Sequence, residues 1–206
     1  MIITDIVPLD KKRSRIYIDF EFAFVLYKGE FKEYNISLNS EISRASYEAI
    51  LTKLLPKRAK LRGLALLTKK PYTEKQLRDK YDEGEYPDSV IDEAIEYLKG
   101  FGYIDDVKYC LEFFETYKET RSLARMKNDL RGKGVSGKDI EKAYRSFEES
   151  EDSGIDEESQ IRRILTKKRF NPDEADYTER QKMIASLMRK GYSYDAISNC
   201  IRNSDF

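Results

Sequence analysis

The first forty residues carry a two-residue rhythm. Ile16, Ile18 and Phe20, then Phe22, Phe24 and Leu26, recur at every second position, the period of strands buried on one face. A polar step at Asp19–Glu21 and a Lys28-Gly29-Glu30 turn divide the stretch, Phe31, Tyr34 and Ile36 predict a further strand, and Ile2–Val7 another. Residues 1–40 therefore read as a small antiparallel β meander. So few strands are not stable alone and must pack on the helical part of the chain.

After Ser40 the apolar spacing becomes that of helices, in segments cut by Pro56, Pro71, Pro87, Gly100, Gly102, Gly134, Pro172 and Gly191. Pro56 is expected to end one helix and open the next, because proline fits a first turn but not an interior. An internal repeat then emerges. Tyr81, Leu130 and Leu187 share a column; four residues earlier stand Leu77, Met126 and Met183, and ten later Ile91, Ile140 and Ile197. Gly134 and Gly191 share the place of a left-handed helix stop, and Ser136 and Ser193 follow as helix caps, with Pro87 in the first copy. Tyr86/Ile91, Val135/Ile140 and Tyr192/Ile197 form a hydrophobic staple in each copy.

Each copy is thus a helix, a turn and a helix, preceded by one more helix at 57–69, 106–119 and 157–168. The third copy has about eight extra residues around Phe170–Tyr177. The expected fold is mostly α: three tandem three-helix repeats in an elongated array, with the small N-terminal meander. The domains read as a β-meander extension at 1–40, a linker helix with repeat 1 at 41–104, repeat 2 at 105–148, and an acidic joint with repeat 3 at 149–206. The run 148–158, acidic and without apolar periodicity, reads as a flexible joint.

Composition narrows the chemistry. The 206 residues are 40% hydrophobic and 37% charged, with no histidine and no tryptophan, a surface-rich balance that favours several small cores. Lacking histidine, the chain cannot run Ser-His-Asp or Cys-His chemistry or build a His-bearing zinc site. Cys110 and Cys200 are isolated and read as reduced helix residues. LRGKGVSGK has the wrong glycine spacing for a phosphate loop, and Asp105-Asp106 follows Gly-Tyr-Ile at a helix start, where carboxylates cap free amides. No enzyme, cofactor or metal is expected. No apolar run nears the ~18 residues of a membrane span, and the N-terminus lacks a signal-peptide pattern, so a cytoplasmic protein is expected.

Charge is unevenly spread although 38 basic residues balance 38 acidic ones. Residues 41–72 hold eight bases and two acids, whereas 73–108 hold five and eleven. Such blocks create surfaces of opposite sign. The candidate partner-binding residues are basic: Arg58, Lys60, Arg62, Lys69 and Lys70 in the first copy, Arg121, Arg125, Arg131 and Lys133 in the second, Arg189 and Lys190 in the third. Lys133 and Lys190 share a repeat column. If the copies stack regularly, these residues form a discontinuous basic stripe suited to a long anionic or charge-patterned partner.

LTKKPYTEKQLRDKY (67–81), GYIDD (102–106), LRGKGVSGKDI (130–140) and LMRKGYSYDAI (187–197), in that order, resemble the RecX family of bacterial RecA regulators. The strand-rich extension resembles that of Gram-positive members. Pro71, and Gly84-Glu85 in place of a Lys-Gly turn, depart from the family pattern. The resemblance implies a monomeric, non-enzymatic protein that binds the RecA filament on single-stranded DNA and inhibits or modulates its ATPase, growth and strand exchange. A weak direct DNA contact goes with it, and no membrane. Two other readings stay open: a helix-turn-helix-like DNA-binding regulator that acts without RecA, and a helical scaffold that uses acidic residues 73–106 for a different protein.

Overall fold

Three strands precede the first helix: β1 (Ile3–Pro8), β2 (Arg13–Ile18) and β3 (Glu21–Tyr27), antiparallel in the order β1-β2-β3. The computed structural model describes residues 1–150 and 154–202. Ile3, Ile16, Phe24 and Leu26 are fully buried, as the alternation requires. Phe22 and Phe20 are not. Ile16 pairs with Phe24 but Tyr17 pairs with Phe22, so Ala23 is an extra residue on β3. A bulge reverses which face later residues take, and Phe22 meets Tyr17 edge-on at 5.8 Å. Phe20 occupies the hairpin turn with φ +72° and is 84% exposed.

The strand expected at Phe31–Ile36 is absent. A 3-10 turn at Lys28–Glu30 continues into turns, with Tyr34 N–H donating to Glu30 O (3.2 Å) and Ile36 N–H to Phe31 O (2.8 Å). Apolar residues three and then two apart suit a coiled turn, not a pleat. The chain then closes the open edge of β1, where Ile3 N–H donates to Ser40 O at 2.9 Å.

Pro56 does not break the helix it enters. α1 (Arg44–Ala49) passes through a π-helical turn at Ile50–Leu54 directly into α2 (Leu55–Leu67). The proline ring clashes with the carbonyl four residues back in a regular helix. Here Leu55 N–H donates instead to Ile50 O, five residues back, and the widened turn makes room.

α3 (Glu74–Asp82) and α4 (Asp88–Gly100) complete the first three-helix group. α5 (Asp106–Tyr117), α6 (Leu123–Gly132) and α7 (Gly137–Glu148) form the second, and α8 (Glu157–Lys167), α9 (Tyr177–Arg189) and α10 (Tyr194–Arg202) the third. The chain is mostly α, three such groups following one small sheet. The repeat columns are structural: Tyr81, Leu130 and Leu187 are all fully buried, and Ile91, Ile140 and Ile197 nearly so. Gly134 and Gly191 take φ +84° and +88°, and Ser136 and Ser193 cap α7 and α10 by accepting from Asp139 N–H (3.1 Å) and Ala196 N–H (3.2 Å). The extra residues of the third copy extend α9 by a turn at its start, where Asp176 caps through Glu179 N–H. Of the flexible joint expected at 148–158, residues 151–153 lie outside the described residues.

Contacts divide the chain into two compact units, Met1–Asp105 and Asp106–Phe206. In the first, the sheet and α2–α4 share one core from Ile3 to Ile104. Arg15 on β2 forks onto the Glu85 carboxylate at 2.6 and 2.5 Å. Glu85 holds the left-handed turn position (φ +55°) that glycine holds in the later copies. The hydrogen bond from Arg15 lowers the Glu85 carboxyl below its ordinary value.

Two variants probe this unit. A carboxyl whose folded pKa is lowered adds stability above its unfolded value, about 4.3, and loses it as pH falls through the folded value. Arg15→Ala is therefore expected to flatten the acid limb of a pH–stability curve below that point, read by urea unfolding. Gly63 lies under Tyr81, whose hydroxyl donates to Ala59 O at 2.9 Å; a Cβ at Gly63 would overlap that hydroxyl and sit 2.5 Å from Leu98 Cδ1. Gly63→Ala gains about 1 kcal/mol of helix propensity against ~1–3 kcal/mol of overpacking, so a lower urea midpoint is expected.

Candidate functional site

In the second unit α6 leads away from a buried cap. Ser122, 1% exposed, accepts from Arg125 N–H at 3.3 Å and donates to Lys190 O at 2.7 Å. That second bond ties the middle helix of one repeat to the turn of the next. Gln160 on α8, 4% exposed, makes the neighbouring tie: its amide donates to Lys118 O (2.6 Å) and accepts from the Tyr192 hydroxyl (2.9 Å). Burial pushes the Tyr192 phenol above its ordinary range, which keeps it a donor. Leu123 N–H donates to Glu157 Oε1 at 3.2 Å, and Arg163 pairs with Glu119 at 3.1 Å.

Over this joint opens a groove of ≈ 710 Å³. Its walls carry Arg121, Arg125 and Lys133 from the second repeat and Arg189 and Lys190 from the third, against one carboxylate, Asp129. That carboxylate is shared: Arg121 reaches Asp129 Oδ2 at 2.7 Å and Arg125 reaches Oδ1 at 3.0 Å. The Arg121 guanidinium also lies 3.8 Å from the Tyr117 ring centre, a cation–π contact. Lys133 and Lys190 each cap the C-terminus of a middle helix, where a cation complements the helix dipole. Repeat symmetry and the joint thus bring both to one groove.

The other expected residues sit elsewhere. Arg131 is exposed, bonded to Asn128 Oδ1 at 3.0 Å. In the first unit Arg58 is committed internally, donating to Val25 O at 3.0 Å and to Glu30 at 2.6 Å. Arg62 donates to Lys80 O at 3.2 Å, with its Nε buried. Lys60 pairs with Glu93 at 2.6 Å. Lys69 and Lys70 are exposed beyond the end of α2, Lys70 over the Tyr72 ring. Residues of the groove and its joint that sequence reasoning missed are Ser122, Asp129 and Gln160; Tyr192, read as a staple residue, also donates across the joint. Asp129 had a signal, since Arg121, Arg125 and Asp129 recur at four-residue steps; Gln160 had none.

The groove can hold an anionic surface by several contacts at once. The Ser122 hydroxyl at its base is used both as donor and as acceptor. Among the described residues no helix is long and apolar enough to cross a membrane.

Fold and groove together define a tandem three-helix-repeat protein with an N-terminal sheet. The models of the first and third three-helix domains of RecX match residues 59–98 and 156–201. The regulatory protein RecX of Clostridium botulinum (strain Alaska E43 / Type E3) is 26% identical, the match covering 95% of this chain and 91% of that one. That of Caldanaerobacter subterraneus subsp. tengcongensis is 29% identical, covering 98% of both. A crystal structure of regulatory protein RecX shares the fold at a TM-score of 0.65 and 22% identity, covering 98% of this chain and 99% of that one. The chain is thus similar to RecX regulatory proteins over nearly its whole length.

Gly191 at the joint can be compared with Gly102, a left-handed glycine after α4 in the first unit. At Gly102, φ +71°, a Cβ meets nothing within 4 Å, whereas at Gly191, φ +88°, it would stand 2.7 Å from Ser122 Oγ and 3.1 Å from Arg125 N. Gly102→Ala is expected to cost only backbone strain, about 1–2 kcal/mol. Gly191→Ala adds the clash and is expected to cost at least ~1 kcal/mol more, measured by chemical denaturation of the two variants.

Proposed function

We propose that the protein binds the RecA filament on single-stranded DNA and restrains its ATP hydrolysis, growth and strand exchange, with the groove between its second and third repeats as a main contact. The observation that carries this reading is the convergence of five cations around one carboxylate on a joint that fixes two repeats in register. A filament presents the same surface at every protomer. A protein that engages it through several modest contacts gains avidity without one tight site. Once held, the filament resists the rearrangements that its ATP cycle requires, because the bound ligand favours one of its states. Likeness to the RecX three-helix domain models and relatives that bear the name of a regulatory protein support regulation over catalysis.

Direct duplex binding draws on the same cations and is the second reading. α4 argues against it as a set of three recognition helices, since its exposed face holds Glu96 with Asp92 and Glu93, the latter two already paired with Arg78 and Lys60, and offers phosphates no exposed base before Lys99. Weak binding to duplex beside strong retention on ATP-loaded filament separates the two. Reversing both repeat-related lysines, Lys133→Glu with Lys190→Glu, is expected to raise the concentration needed to inhibit RecA's DNA-dependent ATPase by about tenfold or more, with helicity unchanged by circular dichroism. Inhibition equal to the parent's sinks the assignment of this groove.

A further inference from the structure

The first unit has a second, chemically different surface. Between α2 and α4 lies a groove of ≈ 350 Å³ whose floor includes Pro56, Leu61, Leu64 and Tyr97. Leu61 is 59% exposed, an unusual place for leucine beside other apolar groups. The strip continues through rings: Tyr97 to Phe101 at 4.7 Å and Phe101 to Tyr103 at 6.3 Å, with Phe101 66% and Tyr103 52% exposed. A contiguous exposed apolar strip marks an interaction site, where single exposed side chains do not.

The rim sets the partner's charge. Lys53, Lys57 and Lys60 line the groove against one carboxylate, Glu93. Lys60 neutralises that carboxylate at 2.6 Å and covers the Tyr97 ring at 5.0 Å. Lys53 and Lys57 stay exposed. The π-helical turn at Ile50–Leu54 supplies Thr52 and Lys53 to the same groove, and such turns inside helices recur at functional sites.

We propose that this groove docks an amphipathic helix from a protein partner, its apolar stripe on Leu61, Tyr97 and Phe101 and its flanking carboxylates against Lys53 and Lys57. A helix fits because the surface is concave and takes side chains in a row. A membrane, the other acceptor of lysines with aromatics, needs a flat or convex face. This inference stands independently of the filament reading, since it uses neither Lys133 nor Lys190.

The test uses the full chain and a fluorescein-labelled synthetic peptide of about five helical turns, with a Leu/Phe stripe flanked by Glu. Two controls accompany it: the same composition scrambled, and the same stripe flanked by Lys. Fluorescence polarisation is expected to show the Glu-flanked peptide binding about tenfold tighter than either control, and Leu61→Glu lowering its affinity by about tenfold. Lys53→Glu with Lys57→Glu is expected to weaken it and reduce its salt dependence. The Lys133→Glu/Lys190→Glu protein is expected to bind it as the parent does. Because Leu61 is exposed, its substitution spares the fold, and an unchanged circular dichroism spectrum checks this. Equal binding of the three peptides, indifference to Leu61→Glu, or preference for phosphatidylserine vesicles over the peptide overturns the proposal.

Discussion

A buried amide has two faces to satisfy, and Gln160 satisfies them on different segments. Its NH2 group reaches back to Lys118 O, just after α5, while its carbonyl oxygen takes the Tyr192 hydroxyl from the turn after α9. Leaving either group unpaired in the interior costs about 1–3 kcal/mol. The second and third repeats therefore fit together in one register, where apolar packing alone would accept several. Ser122 repeats the device, using one hydroxyl as helix cap and as inter-repeat donor. The basic groove above the joint inherits its shape from these two residues.

The first repeat solves the same shortage of core by other means. A three-helix group is too small to bury its apolar faces alone, and here the sheet supplies the missing layer. Ile3, Ile16, Phe24 and Leu26 join Leu77, Tyr81 and Ile95 in one core. Arg15 grips Glu85 at the turn that glycine occupies elsewhere, and Arg58 clasps Glu30 and Val25 O. Both arginines act as anchors of the sheet.

Much of this was legible in the amino-acid order. The repeat columns were, because an apolar position held at fixed spacing in three copies has only the core to answer to. The caps at Ser136 and Ser193 and the glycine stops were legible for the same reason. The features that escaped reading depend on geometry that composition does not encode. The bulge at Ala23 turned Phe22 outward against its own alternation. The π turn let the helix run through Pro56. Arg58 and Lys69 look alike in sequence, yet one clasps the sheet and the other lies on the surface, because only Arg58 faces an acceptor on the neighbouring layer. Gln160 reads as any polar helix residue until its two partners are seen.

Asp129 divides the groove's cations into two kinds. Arg121 and Arg125 are held by one carboxylate, and Arg121 also by a ring, so their planar forks stand ready before anything arrives. Arg189 and Lys190 are exposed on the opposite wall. Exposed peripheral charge governs how fast a partner is drawn in, whereas preorganised contacts govern how long it stays. Encounter rate and residence time can therefore drift separately in descendants of this protein, one through the tip of α9 and the other through the start of α6.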